Sequence, residues 1–259
     1  MSEMYEDIAN RLASAEQSRV PLPPLNETYP GLTVEQAYGI QSAWFEIKMR
    51  ERAQLIGRKI GLTSQAMQEL LGVDQPDYGF LLDTMLVLPG DTLERASFIE
   101  PRLEPEIAFW LGKDLRGPGL TSDDVLAATE GVSASLELVD SRIAHWRIKL
   151  VDTIADNASS SRVIVDRTIT PLGGLDLQAE SVMLTRNDEL VGTGNGAAVL
   201  GHPTAAVAWL ANKLAEFNVS LLAGQLVLPG AMCAAVPAEA GETYRATFSS
   251  LGQVSVRFV

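Results

Sequence analysis

The stretch PRLEPEIAFW, residues 101–110, sets Glu104 and Glu106 two places apart, just ahead of a large apolar run. Residues two apart share a face of a strand, so two carboxylates there repel unless water or a cation neutralises them. A solvated strand face is the ordinary fate of such a pair. A third acid, Glu137, lies in ASLELVDS between Leu136, Leu138 and Val139, neighbours that imply burial. A buried carboxylate neutralises or finds a partner, and Arg142 or Arg147 could supply one. If the three glutamates instead meet on adjacent strands, they form an all-oxygen set suited to Mg²⁺ or Mn²⁺ rather than zinc. His145, His202 and the single cysteine, Cys233, lie far apart without zinc-ligand spacing.

Lys59 sits in GRKIGLTS. Alternation turns Ile56, Ile60 and Leu62 toward the core and leaves Lys59 with Gly57 and Gly61 on the open face, where small neighbours let a ligand approach the backbone. A snorkelling surface lysine is the plain alternative. Asp77, after proline in DQPDYG, reads as a turn residue, and Ser159 and Ser160 in ADNASSS as capping residues or ligand donors. The chain carries no G-x-S-x-G elbow, no P-loop and no G-x-G-x-x-G after a strand. The glycine-rich GTGNGAAVLG, residues 192–201, reads as a turn.

The elements that must position these residues begin with a helix over residues 4–18, with Ile8, Leu12 and Ala15 on one face. VPLPPLNETYPG breaks it. Thr33 and Gln36 then form a capping box for a second helix with core face Ala37, Ile40, Trp44 and Ile47. From residue 56 the texture changes to short strand-like runs: IGRKIGLTS, FLLDTMLVLPGD, PRLEPEIAFWL and ASLELVDS, then a hairpin turning at Asn187-Asp188 and three closing runs. SQAMQELLG, TSDDVLAAT (capped by Thr121) and TAAVAWLANKLAEF (capped by Thr204) read as helices. Helices do not alternate regularly with strands, so a β-rich α+β core with peripheral helices fits better than a doubly wound sheet.

Composition narrows the function classes. The 259 residues are 46% hydrophobic and carry a formal net charge of −13, which argues against a nucleic-acid partner. An anionic substrate would need a local cation to receive it. No apolar run approaches the roughly 18 residues of a membrane span. The acidic, amphipathic start does not read as a signal peptide. One cysteine permits no internal disulfide, in keeping with a reducing cytoplasm.

Three longer strings, GRKIGLTSQAMQELLGVDQPDYGFL, PRLEPEIAFWLGKDLRGPG and ELVDSRIAHWRIKLVDTIADNASS, resemble the 2-keto-4-pentenoate hydratase and 4-oxalocrotonate decarboxylase family of the fumarylacetoacetate hydrolase superfamily. The resemblance runs from about residue 29 to the C-terminal GQLVLPGAMCAAVPAEAGETYRATFSSLGQVSVRFV. It implies a β-rich fumarylacetoacetate-hydrolase-like core, a mixed β-roll or barrel, over residues 56–259 behind an N-terminal helical region over 1–55. It also implies a bound Mg²⁺ or Mn²⁺ and a homo-oligomer, with a complex with a neighbouring pathway enzyme as a further expectation. By the same resemblance the metal carboxylates fall on Glu104, Glu106 and Glu137, the acid–base lysine on Lys59 and an active-site aspartate, paired with it, on Asp77. Leu71 and Ser159 fall on substrate contacts, with Ser160 beside them. Pro105 departs from the small or aliphatic residue of relatives. It forfeits a ladder donor, so an edge strand or a bulge is expected there.

The implied chemistry is a metal-stabilised enolate with Lys59 and Asp77 moving protons. The leading expectation is a hydratase that adds water to 2-hydroxypenta-2,4-dienoate, giving 4-hydroxy-2-oxopentanoate in aromatic meta-cleavage catabolism. DSRIAHWRIKLVDTIADNAS and GVDQPDYGFLLD favour it. NETYPGLTVEQAYGIQ, ADNASSSR and GAAVLGHP instead resemble 4-oxalocrotonate decarboxylases, where Arg162 would receive a second substrate carboxylate. The superfamily's C–C hydrolases use a histidine on the N-terminal side, and here the first histidine, His145, follows all three glutamates. A non-catalytic keto-acid-binding or partner subunit is the remaining alternative. It would leave Lys59 dispensable.

Overall fold

The computed structural model describes residues 2–64, 68–69 and 72–259. Leu71, and with it much of the helix expected at SQAMQELLG, lies outside the described residues. The chain opens with helices α1 (Glu3–Ser18), α2 (Leu25–Thr28) and α3 (Val34–Arg50). Ile8, Leu12 and Ala15 of α1 and Ala37, Ile40 and Trp44 of α3 are buried, the stripe that spacings of three and four residues produce. The capping box forms as expected: Thr33 Oγ1 accepts from the Gln36 backbone N–H at 3.2 Å, and Gln36 Oε1 accepts from the Thr33 N–H at 2.9 Å.

The strands are β1 (Leu55–Gly61), β2 (Asp77–Leu82), β3 (Leu86–Val87), β4 (Thr92–Leu93), β5 (Arg102–Leu111), β6 (Thr129–Val139), β7 (Ser160–Val165), β8 (Ser181–Arg186), β9 (Glu189–Asn195), β10 (Leu226–Leu228), β11 (Val236–Pro237), β12 (Thr243–Phe248) and β13 (Gly252–Phe258). An eight-stranded mixed sheet runs β2-β1-β10-β5-β6-β7-β3, with β11 pairing the start of β5 at Arg102 and Leu103, the opposite end from the Phe109–Trp110 end that β10 pairs; a five-stranded sheet runs β4-β13-β12-β8-β9. Three further helices, α4 (Ser122–Ala128), α5 (Leu150–Ala155) and α6 (Pro203–Ala215), pack around them.

Local chemistry explains most element ends, and two depart from expectation. The β8–β9 hairpin turns at Asn187 (φ 48°) and Asp188 (φ 69°), two residues that tolerate the left-handed region a tight hairpin needs. Helix α6 is capped by His202 rather than Thr204: His202 Nδ1 accepts from the Thr204 N–H at 3.2 Å. Pro203 has no N–H to satisfy and so occupies the first helical position. The expected turn at GTGNGAAVLG is half strand, because β9 continues through Asn195.

The larger sheet has two different faces. Ile60, Tyr78, Ile107, Phe109, Leu136, Leu138 and Ile164 belong to the main core, which also holds Ile8, Leu12, Ile40 and Trp44 of the leading helices and Tyr244, Val256 and Phe258 of the second sheet. The other face carries Leu81, Ala108, Val163, Val165, Leu226 and Leu228 in a smaller apolar cluster. By alternation this second face is also the one on which Glu104, Glu106 and Glu137 stand.

Candidate functional site

Strand register assembles the three glutamates. Glu104 of β5 lies directly opposite Glu137 of antiparallel β6, and Glu106 follows on the same face. One carboxylate oxygen from each lies within 4.8 Å of the others. Glu106 and Glu137 are fully buried. At an effective dielectric of about 20, unit charges at that separation repel by about 3 kcal/mol per pair. Glu106 Oε2 accepts from the Gly230 N–H at 2.7 Å, while its Oε1 has no hydrogen-bond partner among the described residues. Gly230 (φ 128°) is obligatory there, since a Cβ would lie 2.0 Å from Thr63 Oγ1. Ser160 Oγ donates to Glu137 Oε1 at 2.6 Å.

Lys59 reaches this cluster from β1, across β10 from β5. Its side chain is 3% exposed, so it is no snorkelling surface lysine. Its Nζ lies 3.2 Å from Glu137 Oε2, out of line for a hydrogen bond, and donates to the Ala158 carbonyl at 3.0 Å. Asp77 is not the turn residue that its proline neighbour suggested. It begins β2 opposite Gly61, fully buried, and its Oδ2 accepts from Thr153 Oγ1 at 2.9 Å. Its Oδ1 is buried without a partner among the described residues. Lys59 therefore pairs with Glu137 rather than with Asp77, whose charge acts on it from further away. The glycines flanking Lys59 make room for the protein's own atoms: a Cβ on Gly61 would sit 2.2 Å from Asp77 Oδ1, and one on Gly57 would sit 1.8 Å from the Leu226 carbonyl oxygen.

A strained turn holds the Ala158 carbonyl in place. Asn157, Ala158 and Ser159 all have positive φ, at 56°, 48° and 55°, a conformation that costs energy for residues with a Cβ and persists only where surroundings impose it. Asn157 supplies one restraint by pairing its side-chain amide with β2. Its Oδ1 accepts from the Phe80 N–H at 2.7 Å, and its Nδ2 donates to the Phe80 carbonyl at 3.0 Å. Gly79 lets the turn approach, as a Cβ would lie 2.5 Å from the Asn157 carbonyl oxygen. Arg142 supplies the second restraint. Its Nε donates to Asp156 Oδ1 at 2.7 Å, its other nitrogens donate to the carbonyls of Asp140, Asp156 and Ser160, and it stacks 4.7 Å from the Trp44 ring centre.

Charge and burial set the titration of the site. Burial pushes the Glu104 carboxyl up to about 7, with Lys59 opposing the shift and Glu137 adding to it. Burial, then the Glu137 charge, hold Glu106 well above the carboxylate range. Asp77 is raised by burial, partly offset by Lys59. Burial disfavours the Lys59 ammonium, but Glu137, Glu104, Asp77 and Glu106 outweigh it and raise the lysine above its ordinary value. Cys233 is pushed up to about 11 by burial and then by Glu104, which keeps it a thiol. The donor set thus fits a hard divalent cation. It consists of carboxylate oxygens, two of the acids hold an oxygen without a directed donor, and they exceed the positive charge beside them.

The remaining expected residues divide. Ser160 reaches Glu137, whereas the Ser159 hydroxyl turns back to Asp156 Oδ2 at 3.2 Å. Arg162 pairs across from Leu138 on the opposite face from Glu137, and its guanidinium lies 5.5 Å from the Phe98 ring centre, so it does not face the glutamates. The β6–β7 register is the cause: Val163 lies opposite Glu137, and the irregularity between Leu138 and Val139 puts Arg162 on the other face from Ser160. Pro105 lies on neither an edge nor a bulge: β5 is a central strand in unbroken register with β6 at that point. Its missing donor falls where β10 has ended and β11 has not begun, and its carbonyl accepts from the Met232 N–H at 2.9 Å. Thr153, Asn157 and Gly230 escaped sequence reasoning, and Arg142 and Arg147, offered there as partners for Glu137, pair instead with Asp156 and Glu27. Each acts through a partner 14 or more positions away, 14 being the Arg142–Asp156 separation, so no local spacing announces them. Arg102 was also missed. It shares the glutamate face of β5 and stacks 4.4 Å from the Trp146 ring centre.

Comparison with known proteins agrees with this geometry. Residues 50–259 match the family model described as fumarylacetoacetate (FAA) hydrolase C-terminal. The chain is 43% identical over 258 residues to a 2-hydroxyhexa-2,4-dienoate hydratase of Comamonas testosteroni, covering 99% of this chain and 98% of the relative. It is 44% identical over 259 residues to a 2-oxo-hept-4-ene-1,7-dioate hydratase of Escherichia coli, covering 97% of each. Among solved structures, the 4-oxalocrotonate decarboxylase of Pseudomonas putida G7, complexed with magnesium and adipate, superposes with a TM-score of 0.97 at 35% identity, over 99% of this chain and 98% of that one.

Proposed function

The chain belongs to the fumarylacetoacetate hydrolase family, and from that premise we propose that it is a metal-dependent hydro-lyase that adds water to 2-hydroxypenta-2,4-dienoate, giving 4-hydroxy-2-oxopentanoate. The observation that carries the reading is the meeting of three carboxylates within 4.8 Å, with the buried Lys59 ammonium 3.2 Å from one of them. Glu104, Glu106 and Glu137 would hold Mg²⁺ or Mn²⁺, which would act as a Lewis acid toward the substrate carboxylate and 2-oxygen. Lys59, kept protonated by its acidic neighbours, gives a proton to the terminal carbon of the dienolate. Asp77, with one oxygen unpartnered, accepts the proton that water loses as its oxygen joins C4; that proton and the one released from the 2-hydroxyl replace those delivered to C3 and to the terminal carbon, so the net addition is one water. Ser160 fixes Glu137 in orientation, and the strained 157–159 turn fixes Lys59 through the Ala158 carbonyl. The reading includes a homo-oligomer and a reducing cytoplasm, and takes residues 56–259 as the catalytic core.

Among strand residues of the glutamate face, Lys59 and Arg102 are the only cations in the described chain. With Arg162 turned away, that charge suits a monocarboxylate better than a dicarboxylate. Arg102 is the one observation that favours the second reading, 4-oxalocrotonate decarboxylation, since it could receive a distal carboxylate. Proton NMR of the products separates the two. Purified protein with Mg²⁺ and 2-hydroxypenta-2,4-dienoate should yield 4-hydroxy-2-oxopentanoate, and EDTA should abolish it. Unchanged dienoate, or its ketonised form alone, would overturn the hydratase. Release of CO₂ from 4-oxalocrotonate would then establish the decarboxylase.

A further inference from the structure

A cavity of about 350 Å³ lies on the other side of β1 and β2 from the glutamates, between these strands, α1, α3 and the segment after α6. Its walls include Tyr38, Phe45, Tyr78, Phe80 and Phe217, and Arg58 enters it from the strand position next to Lys59. Alternation sends these consecutive side chains to opposite faces. The Arg58 guanidinium has no hydrogen bond or ion pair among the described residues, although the side chain is only half-exposed at most. Burial, its leading influence, lowers its pKa, with Tyr78 opposing. A cation left without a partner in an aromatic recess is an unfilled recognition element, because taking a guanidinium from water costs energy unless an anion returns it.

The walls specify the anion. Tyr38 and Tyr78 stack with ring centres 4.4 Å apart and planes 19° apart, and Phe45 and Phe80 lie 5.3 Å apart. Such surfaces favour flat π-systems. One guanidinium fork matches one carboxylate. The cavity's volume is at the small end for organic ligands. The acids nearby leave the fork free: Glu35 lines the mouth and is exposed, and Glu216 is paired with Lys213 at 2.7 Å. We propose that this cavity is a second ligand site, distinct from the glutamate centre, that binds a small planar monocarboxylate, aromatic or conjugated, through Arg58 and the tyrosine pair.

Isothermal titration of the full-length protein with benzoate tests this, with and without Mg²⁺ and with benzamide as the uncharged control. The expected result is one benzoate site whose affinity does not depend on Mg²⁺ and exceeds that for benzamide. Arg58→Gln should weaken benzoate at least about tenfold. Ser42→Trp, which fills the mouth from an exposed position without removing a buried group, should do the same. A thermal melt of each variant shows that it is folded. Absence of benzoate binding, Mg²⁺-dependent binding that survives Arg58→Gln, or indifference to Ser42→Trp would each overturn the proposal. Turnover of the dienoate is read separately, so failure of the hydratase leaves this test intact.

Discussion

Two clusters of buried charge lie close together in this molecule, and they are built to opposite rules. In one, Arg142 and Asp156 are both essentially inaccessible, and every polar atom finds a partner: Asp156 Oδ1 takes Arg142 Nε, and Oδ2 takes the Ser141 and Ser159 hydroxyls and the Arg142 N–H. In the other, Lys59 faces Glu104, Glu106, Glu137 and Asp77, and three carboxylate oxygens have no directed hydrogen bond among the described residues. A closed network rigidifies; a cluster short of positive charge and donors is a place for something else to bind. The closed cluster serves the open one, because Arg142 braces the turn whose Ala158 carbonyl holds Lys59.

That contrast can be broken at either end. Lys59→Ala should lower turnover by about 10²–10⁴-fold while Mg²⁺ binding persists. Steady-state kinetics beside a metal titration decides it, and near-normal turnover would remove the lysine from the mechanism. Arg142→Met should destabilise the fold by about 3–5 kcal/mol, the usual effect of stranding a buried acid. Urea unfolding reads this directly, and a loss below about 1 kcal/mol would show that the pair is not the brace described.

Glu106→Gln should act in the opposite sense. With chelator present near neutral pH it should stabilise the protein by about 1–2 kcal/mol, since the amide is neutral without taking up the proton that burial and Glu137 impose on the acid, while weakening Mg²⁺ at least about tenfold through loss of ligand charge. A destabilised variant under chelation would contradict that proton uptake. The smallest effect is on pH dependence. Glu104 titrates at about 7 in the fold against an ordinary 4.5, so the folded state holds a proton that the unfolded state has released. Its contribution to stability is full below about 4.5 and is lost as pH rises through about 7. Thermal melts under chelation should therefore fall across that window, whereas Mg²⁺ affinity should rise with pH up to about 7 as the competing proton leaves. Affinity independent of pH would show that Glu104 is already ionised.

Much of this was legible from the chain. Period-two alternation puts Glu104 with Glu106, and Lys59 with Gly57 and Gly61, on common faces, because in a strand the backbone alone decides which way a side chain points. Alternation along β7 alone would put Arg162 on the face of Ser160, which reaches Glu137, and only the irregular β6–β7 register beside Ser160 separates the two. The Thr33 box and the Asn187-Asp188 turn are likewise local chemistry. Other features depend on which strands pair and in what register. That Glu137 faces Glu104, that Lys59 meets Glu137 before Asp77, and that Pro105 sits beside the gap between β10 and β11 all join segments distant in sequence. The left-handed run at Asn157, Ala158 and Ser159 is of the same kind: only Asn157 among them favours that conformation, and Phe80, Gly79 and Arg142 impose it from elsewhere. Sequence by itself determined which side chains share a face and where local caps and turns fall, because those follow from neighbouring backbone geometry. Only the tertiary structure decided which faces meet, and therefore which buried charges are satisfied and which remain open to a ligand.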